Sequence, residues 1–484
     1  MVKIIIKDEV NCKIEGLDVS DRRKLHQKFK YQLPYARHLP AVRLGRWDGC
    51  TYFFQLGGST YINLLPQILP DLENAGYDIE LEDLRDYKNK YTFEPVKEDD
   101  YSHFKWPVGH PDAGQPVKIR DYQLPVINEF LNNTQCLQEV ATGAGKTIMT
   151  AILSHKCEAY GRTIIIVPNK SLVVQTEVDY KLLGLDVGVY FGDRKEYNKT
   201  HTICTWQSLN NMLKNTKSGE AEVSIMDFLE GVVCVMVDEV HQAKADALKS
   251  LLTTVMSTIP IRWGLTGTIP KDDFDFIALK VSIGDVVGHL KAHELQEAGH
   301  LSNCHINIVQ MIDYAEYKDY HSEIKYLTTT EKRLEYIAAL INSIKDSGNT
   351  LVLVNHIATG TKLVELLEDS VFISGKLKTD DRKEHYDDYA TNDNKVSVAT
   401  FGVASTGINI PRIFNLVLLE PGKSFTRVIQ SIGRGIRKAA DKDFVQIWDL
   451  TSTCKFSKRH LTKRKQFYTE AHYPYAIEKI DWQK

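Results

Sequence analysis

The chain has 484 residues, a formal net charge of −3, and apolar and charged fractions of 43% and 25%, the composition of a soluble globular protein rather than a disordered one. At ~150 residues per domain this length exceeds one compact core and corresponds to about three domains. The balance of 60 Lys and Arg against 63 Asp and Glu excludes a global basic field, so any nucleic-acid contact must come from local surfaces. The longest apolar runs, at 163–167 and 231–237, fall far short of the ~20 residues of a membrane span and suit buried parallel strands. The apolar start is too short for a signal peptide, so the expected location is the cytoplasm. Eight cysteines with no C-x-x-C pair argue against a disulfide framework and a zinc site, and fit core thiols.

Residues 1–105 read as a small α+β accessory domain. Alternation at 2–7 predicts a strand, and Ser20 is expected to cap a helix with Leu25 and Phe29 facing inward. Asp48-Gly49 predicts a hairpin turn between two strand-like runs within 41–54. Arg43, Arg46 and Trp47 beside it suit phosphate contact with base stacking; the alternative is a solvated surface with a tryptophan packed beneath the turn. A helix near 65–74 is expected to end at Gly76 and lead into a strand at 77–81. Charge and then prolines mark a linker.

From 106 to 295 short buried strands alternate with helices, the pattern of a parallel sheet covered on both faces. Its centre is the stretch 139–147. Gly143 and Gly145 allow positive φ, so that the backbone N–H groups of Thr142, Gly143, Ala144 and Gly145 approach phosphate oxygens. Lys146 reaches the β and γ phosphates and Thr147 holds Mg²⁺. The full pattern wants glycine at position 140, where this chain has Val140, so a glycine-rich turn opening a helix is the alternative. Upstream, Arg120, Tyr122 and Gln123 supply an aromatic ring and an amide suited to adenine; the alternative is a helix start with a surface glutamine. Pro168, Asn169 and Gln175, with Thr205 and Gln207, follow two strands on the ligand side of such a sheet. The run 232–237 ends in Asp238 and Glu239, costly unless they serve something at the tip. Asp238 is placed for Mg²⁺, Glu239 for the proton of an attacking water, and His241 to report on the γ phosphate; a surface acidic pair is the alternative. Thr266 and Thr268 are placed to couple this site to another surface.

A second sheet domain, 296–455, has expected strands at 350–354, 371–374 and 396–400 and a helix at 361–367, but no cradle. It carries Ser405, Thr406 and Gly407, then Gln430, Arg434 and Arg437. The two arginines, three apart on an expected helix, point to one side and can act as arginine fingers, worth roughly 10³ to 10⁵ in rate. The remainder, 456–484, is basic, with Lys458, Arg459, Lys463, Arg464 and Lys465. It reads either as a nucleic-acid-facing helix or as a solvated one whose aromatics dock the chain end.

Taken in order, Gln123, 141–147, Pro168, 205–208, 238–241, 266–268, 405–411 and 430–437 resemble the motifs of superfamily 2 helicases of the DEXH type. The layout, with its Gly-x-Trp-Asp-Gly segment at 45–49, resembles the UvsW-like branch-migration helicases of phages. The resemblance implies an α/β fold with two tandem RecA-like parallel-sheet domains and ATP with Mg²⁺ as cofactors. It also implies a 3′ to 5′ motor on branched or forked DNA. Single-stranded DNA or RNA·DNA hybrids are further expected partners of a monomer without a membrane partner. In that scheme Lys146, Asp238, Glu239, Gln430, Arg434 and Arg437 carry catalysis. Arg120, Tyr122, Gln123, residues 142–147 and Gly407 bind ATP. His241, Thr266 and Thr268 couple, and Arg43, Arg46, Trp47, Pro168, Asn169, Gln175, Thr205, Gln207, Ser405 and Thr406 meet DNA. A duplex translocase without strand separation, an RNA remodeller and a nucleotide-dependent binding switch are the alternative functions.

Overall fold

The computed structural model of the chain describes residues 1–33, 35–85, 90–106, 113–240, 245–374, 392–404, 412–439 and 441–484, and of Ala245, Ala404, Phe425, Thr426, Arg427, Gln430 and Arg434 the backbone alone. The described chain forms two compact units, Met1–Val140 with Lys146–His289, and Leu290–Lys484 with the loop Ala141–Gly145.

The first unit opens with strands β1 (Val2–Ile6), β2 (Asn11–Glu15), β3 (Lys30–Gln32), β4 (Cys50–Tyr52), β5 (Ser59–Tyr61) and β6 (Ile79–Asp83). Four of these make a sheet in the order β5-β2-β1-β6, and β3 pairs separately with β4. Alternation decides the faces: Val2, Ile4 and Ile6 are buried, whereas Lys3 points outward to Glu80 and Glu82. The helix expected near Ser20 begins at Val19 with Asp18 in the capping position and no side-chain cap, so Ser20 lies inside the first turn. Leu25 and Phe29 are buried as expected.

The expected hairpin at Asp48-Gly49 does not form. Pro40, whose fixed φ suits the first helical turn, starts a short helix over Pro40–Arg43, and β4 finds its partner in β3 instead. Asp48 Oδ1 accepts the Cys50 N–H at 3.0 Å, and Gly49 at φ +75° is buried, where a Cβ would come within 2.9 Å of Ala36. The helix Leu65–Asn74 and the positive φ of Gly76 match expectation, with the strand after them shifted to 79–83.

This small sheet shares its core with the helix Asp273–Ser282, whose Phe274, Ile277, Ala278 and Val281 pack among Phe29, Phe53, Phe54 and Ile68. Polar ties reinforce the apolar seam: Asn11 Nδ2 donates to Thr253 O at 3.0 Å, and Gln135 Nε2 to Glu9 O at 2.9 Å.

The large sheet of this unit comprises β7 (Gln135–Val140), β8 (Arg162–Val167), β9 (Val187–Phe191), β10 (Arg194–Lys195), β11 (His201–Thr205), β12 (Val232–Asp238), β13 (Ile261–Thr266) and β14 (Val286–Leu290). Their order is β10-β9-β11-β8-β12-β13-β7-β14. The central pairs β11/β8, β8/β12, β12/β13 and β13/β7 are parallel, so the ends of β7, β8, β11, β12 and β13 lie along one edge. Beneath it, buried Arg262 donates to four backbone carbonyls, at Leu252, Met256, Ile259 and Ser282.

The second unit holds a seven-stranded sheet of β15 (Asn303–Met311), β16 (Thr350–Val354), β17 (Ser370–Ile373), β18 (Val396–Thr400), β19 (Asn415–Leu419), β20 (Phe444–Ser452) and β21 (Tyr475–Ile480), ordered β17-β18-β16-β19-β20-β15-β21 with parallel neighbours. Residues 456–484 are built into it. The helix Lys455–Glu470 returns the chain so that β21 can add itself as the edge strand beside β15. Seven of the eight cysteines are buried, Cys50 is half-buried, and all are free. Among the described residues no helix is long and apolar enough to cross a membrane.

Candidate active site and nucleic-acid face

The chemistry collects at the carboxyl edge of the first sheet. β7 ends at Val140, and the loop to the helix Lys146–Cys157 contains Gly143 at φ +92° and Gly145 at φ +80°, values at which a Cβ would be strained. Val140, where the motif prefers glycine, is fully buried and completes the strand. Lys146 stands at the start of the helix, 8% exposed, and its ammonium lies 3.0 Å from Glu239 Oε1 and donates to Val140 O at 3.3 Å.

Asp238 ends β12 and is buried, which removes the alternative of a surface acidic pair. Its Oδ1 accepts the Glu239 N–H at 2.9 Å. Glu239 itself takes φ +51°, a conformation costing a non-glycine residue ~1–3 kcal/mol and characteristic of functional sites. That twist turns the carboxylate back over the sheet edge. One oxygen meets Lys146, and the other accepts the Gly267 N–H at 3.3 Å. The glutamate thus bridges the cradle lysine and the turn between Thr266 and Thr268. In that turn Thr266 Oγ1 donates to Thr268 O at 2.7 Å and accepts the Thr268 N–H at 3.2 Å.

The fit to a triphosphate and a divalent cation can be judged from the donor set. A hard cation takes oxygen ligands, and Thr147 with the carboxylate of Asp238 would supply them beside a buried lysine and a helix N-terminus suited to phosphate. These residues fit the group.

Upstream, Gln123 is 5% exposed, so the surface-glutamine alternative does not hold. Its Oε1 accepts the Arg120 N–H at 3.0 Å, and Arg120 Nη1 donates to Tyr122 OH at 2.9 Å, tying the three residues into one unit at the start of the helix Gln123–Asn132.

A second cluster forms where β8 and β11 end side by side, Val167 in register with Thr205. Asn169 caps the helix Lys170–Leu182 through Leu172 N–H, and Thr205 caps the helix Trp206–Ser218 through Ser208 N–H. Gln207 Nε2 donates to Pro168 O at 3.3 Å, joining the two loops, and Gln175 lies half-buried a turn further along its helix. Among the described residues Asn169 Nδ2 and Trp206 Nε1 here are buried donors without a hydrogen-bond partner. In the small sheet region Arg43 and Arg46 are exposed, whereas Trp47 packs against the core and donates to Cys50 O at 3.1 Å.

In the second unit Arg434 lies on the helix Phe425–Gly435, but Arg437 lies beyond it, which corrects the expectation of one helical face. Past Gly435 the chain bridges to Leu301, and the buried Lys442 ammonium accounts for the break by binding the carbonyls of Gly435 and, at 2.8 Å, Arg437. Gln430 shares the helix; its side chain and that of Arg434 lie outside the described atoms. His241, Ser405, Thr406 and Gly407 lie outside the described residues.

Sequence reasoning missed three participants: the Gly267 N–H, the Val140 carbonyl, and Glu139. The last accepts the Ile269 N–H at 3.3 Å and lies 2.9 Å from His289 Nδ1. Backbone groups carry no side-chain signature. For Glu139 the available signal was a carboxylate one residue before the end of a strand.

Comparison with known proteins assigns this geometry to a class. The family described as "Type III restriction enzyme, res subunit" matches residues 116–271, and the "Helicase conserved C-terminal domain" matches residues 332–439. The chain is an ATP-hydrolysing helicase of superfamily 2. More narrowly, it is related to UvsW: it is 24% identical to the ATP-dependent DNA helicase uvsW of Enterobacteria phage T4, over 96% of this chain and 93% of that one. It is 23% identical to the general transcription and DNA repair factor IIH helicase/translocase subunit XPB/SSL2 of Saccharomyces cerevisiae, over 76% of this chain and 45% of that one. The structure of S. cerevisiae Dbp5 bound to RNA and ADP BeF3 shares the fold, with a TM-score of 0.53 at 14% identity over 76% of this chain and 90% of that one.

Proposed function

We propose that this helicase acts on branched or forked DNA, which it unwinds or branch-migrates with 3′ to 5′ polarity in recombination, repair and replication restart. The observation that carries the ATPase half is the buried Lys146–Glu239 contact at 3.0 Å beside Asp238. In this reading the triphosphate displaces Glu239 from Lys146. The lysine then binds the β and γ phosphates, and the released glutamate takes the proton of the attacking water. Thr147 and Asp238 hold Mg²⁺, which neutralises phosphate charge when bound. Arg120, Tyr122 and Gln123 read adenine. Residues 142–145 and Gly407 border the nucleotide, and Gln430, Arg434 and Arg437 stabilise the charge that develops on the phosphoryl group. Because Glu239 also holds Gly267, its release loosens the turn between Thr266 and Thr268, and His241 shares in that coupling.

On the nucleic-acid side, Pro168, Asn169, Gln175, Thr205 and Gln207 meet DNA in the first unit, and Ser405 and Thr406 meet it in the second. The donors at Asn169 and Trp206, without a partner among the described residues, support an acceptor-rich ligand there. Arg43, Arg46 and Trp47 contact the branch.

The test is ATP hydrolysis and strand displacement over junctions, forks, linear duplex, single strands and RNA·DNA hybrids, with 3′ and 5′ tails compared. Lys146→Ala is expected to abolish turnover on all of them; normal hydrolysis by that variant sinks the site assignment. Arg43→Glu with Arg46→Glu is expected to weaken junction binding and lower the salt slope by roughly 2, at ~0.9 per phosphate contact. Translocation on duplex without any displacement would favour the translocase alternative, a term that the name of the yeast relative also carries.

A further inference from the structure

The helix Lys455–Glu470 carries six Lys or Arg and a single carboxylate, Glu470, in a chain whose overall charge is negative. Its two faces have opposite fates. On one face Ser457, Leu461, Arg464, Phe467 and Tyr468 are buried. Arg464 is neutralised there by Asp449, with contacts of 2.8 and 2.9 Å, and donates to Gly422 O at 2.7 Å; Tyr468 OH donates to the same aspartate at 2.8 Å. The N-terminus is closed by buried Glu323, whose two oxygens accept the N–H groups of Ser457 and Phe456 at 2.7 and 3.0 Å. The helix is therefore fixed in rotation and cannot turn its charges inward.

On the other face Lys455, Lys458, Arg459 and Lys463 are exposed, interleaved with the exposed Thr462 and Gln466. A period of 3.6 residues places all six on one side. Among the described residues none of the four cations has an ion pair. A solvated helix ordinarily mixes both signs, with carboxylates three or four residues from its cations; this stripe has none until position 470. At ~1.5 Å per residue, Lys455 to Lys463 spans ~12 Å, comparable to three or four nucleotide steps at ~3.4 Å each.

We propose that this stripe is a second nucleic-acid contact, binding the phosphodiester backbone of a strand through Lys455, Lys458, Arg459 and Lys463. The proposal rests on the helicase assignment but not on the proposed junction substrate or on the roles given to the ATP-site residues. It predicts an anchor without base preference, because the stripe presents cations and small polar groups but no exposed aromatic ring for stacking.

The test uses the full chain without nucleotide and a labelled oligonucleotide, single-stranded in one arm and duplex in the other. Lys455→Gln, Lys458→Gln, Arg459→Gln and Lys463→Gln together keep helix-forming side chains and leave the buried face untouched. The salt slope of binding is expected to fall by ~3, at ~0.7 per contact on a single strand and ~0.9 on duplex. Between 50 and 200 mM salt, a fourfold change, the variant's affinity then falls roughly 60-fold less than that of the parent. The arm with the larger drop identifies which form of nucleic acid the stripe holds. ATP hydrolysis without nucleic acid is expected to stay at the parent level, which reports an intact fold. Unchanged affinity and slope in both arms overturn the proposal, including the case in which the stripe serves an acidic protein. Failure of the ATP-site assignment would show separately, as hydrolysis surviving in Lys146→Ala.

Discussion

β12 in the first unit and β19 in the second both run out into a glutamate held at positive φ, Glu239 at +51° and Glu420 at +45°. Both carboxylates are buried, at 5% and 2% exposure, and each meets a cation, Lys146 at 3.0 Å and Arg333 at 2.9 Å. The surroundings then diverge. Lys146 starts a helix behind a glycine loop, with Val140 O as its other acceptor, so an anionic ligand can exchange with the glutamate. Around Arg333 the space is filled by protein. Its guanidinium also donates to Leu327 O and lies 3.4 Å from Asp313, which is held by Ser452, Tyr326 and Trp482. Thr451 and Ser457 donate to Glu420. On the proposed reading, the same strand-end geometry gives an exchangeable pair in one sheet and a permanent polar plug in the other. What decides between them is whether a cradle adjoins the pair.

The sharpest way to break that comparison is Glu239→Gln. If the first pair is exchangeable, this variant loses ATP hydrolysis by about 10²–10⁴-fold, the range for a general base. Lys146 then lacks its counter-charge in the nucleotide-free state, so a non-hydrolysable ATP analogue should raise the melting temperature more than it does in the parent. Equal thermal shifts in both proteins would mean that the Lys146–Glu239 contact is as permanent as the second one.

The converse holds for Arg333→Met, which strands two buried carboxylates. Breaking a buried pair by removing one partner costs about 3–5 kcal/mol, expected here as a lower urea midpoint that no nucleotide restores. Adding Glu420→Gln to Arg333→Met should recover part of the loss, because the uncompensated charge is reduced. A midpoint unchanged by Arg333→Met would show that the plug carries no stability.

Much of the first site was legible because its residues follow strands whose apolar runs stand out: the cradle, Asp238 and Glu239, and the polar ends after 167 and 205 all fall where expected. The plug was not legible. Arg333, Asp313, Glu420 and Trp482 come from segments up to 169 residues apart and form no local pattern. The missed hairpin has a local cause, since Asp48-Gly49 carries strong turn chemistry whatever its flanks do, and Pro40 gave the preceding run to a helix. The basic segment after 455 could be read either way from composition, because burial of Arg464 against Asp449, which separates its two faces, is a tertiary event.

The smallest expected effect concerns the proton on Glu420. Burial pushes the Glu420 carboxyl up from 4.5 to about 7, against the opposing pull of Arg333 and Arg464. A carboxyl whose pKa is raised by folding binds its proton more tightly in the folded state. Its contribution to stability is therefore fully present below pH 4.5 and is lost as pH rises through about 7. Glu420→Gln removes this titration, so the variant should gain on the parent as pH rises across that window. Asp179 of the first unit, also pushed up to about 7 by burial, titrates in the same window but is present in both proteins and cancels in the difference. Melting curves from pH 4.5 to 7 decide the matter. If the two proteins run parallel, Glu420 stays ionised beside Arg333 throughout, and the plug is an ion pair over the whole range.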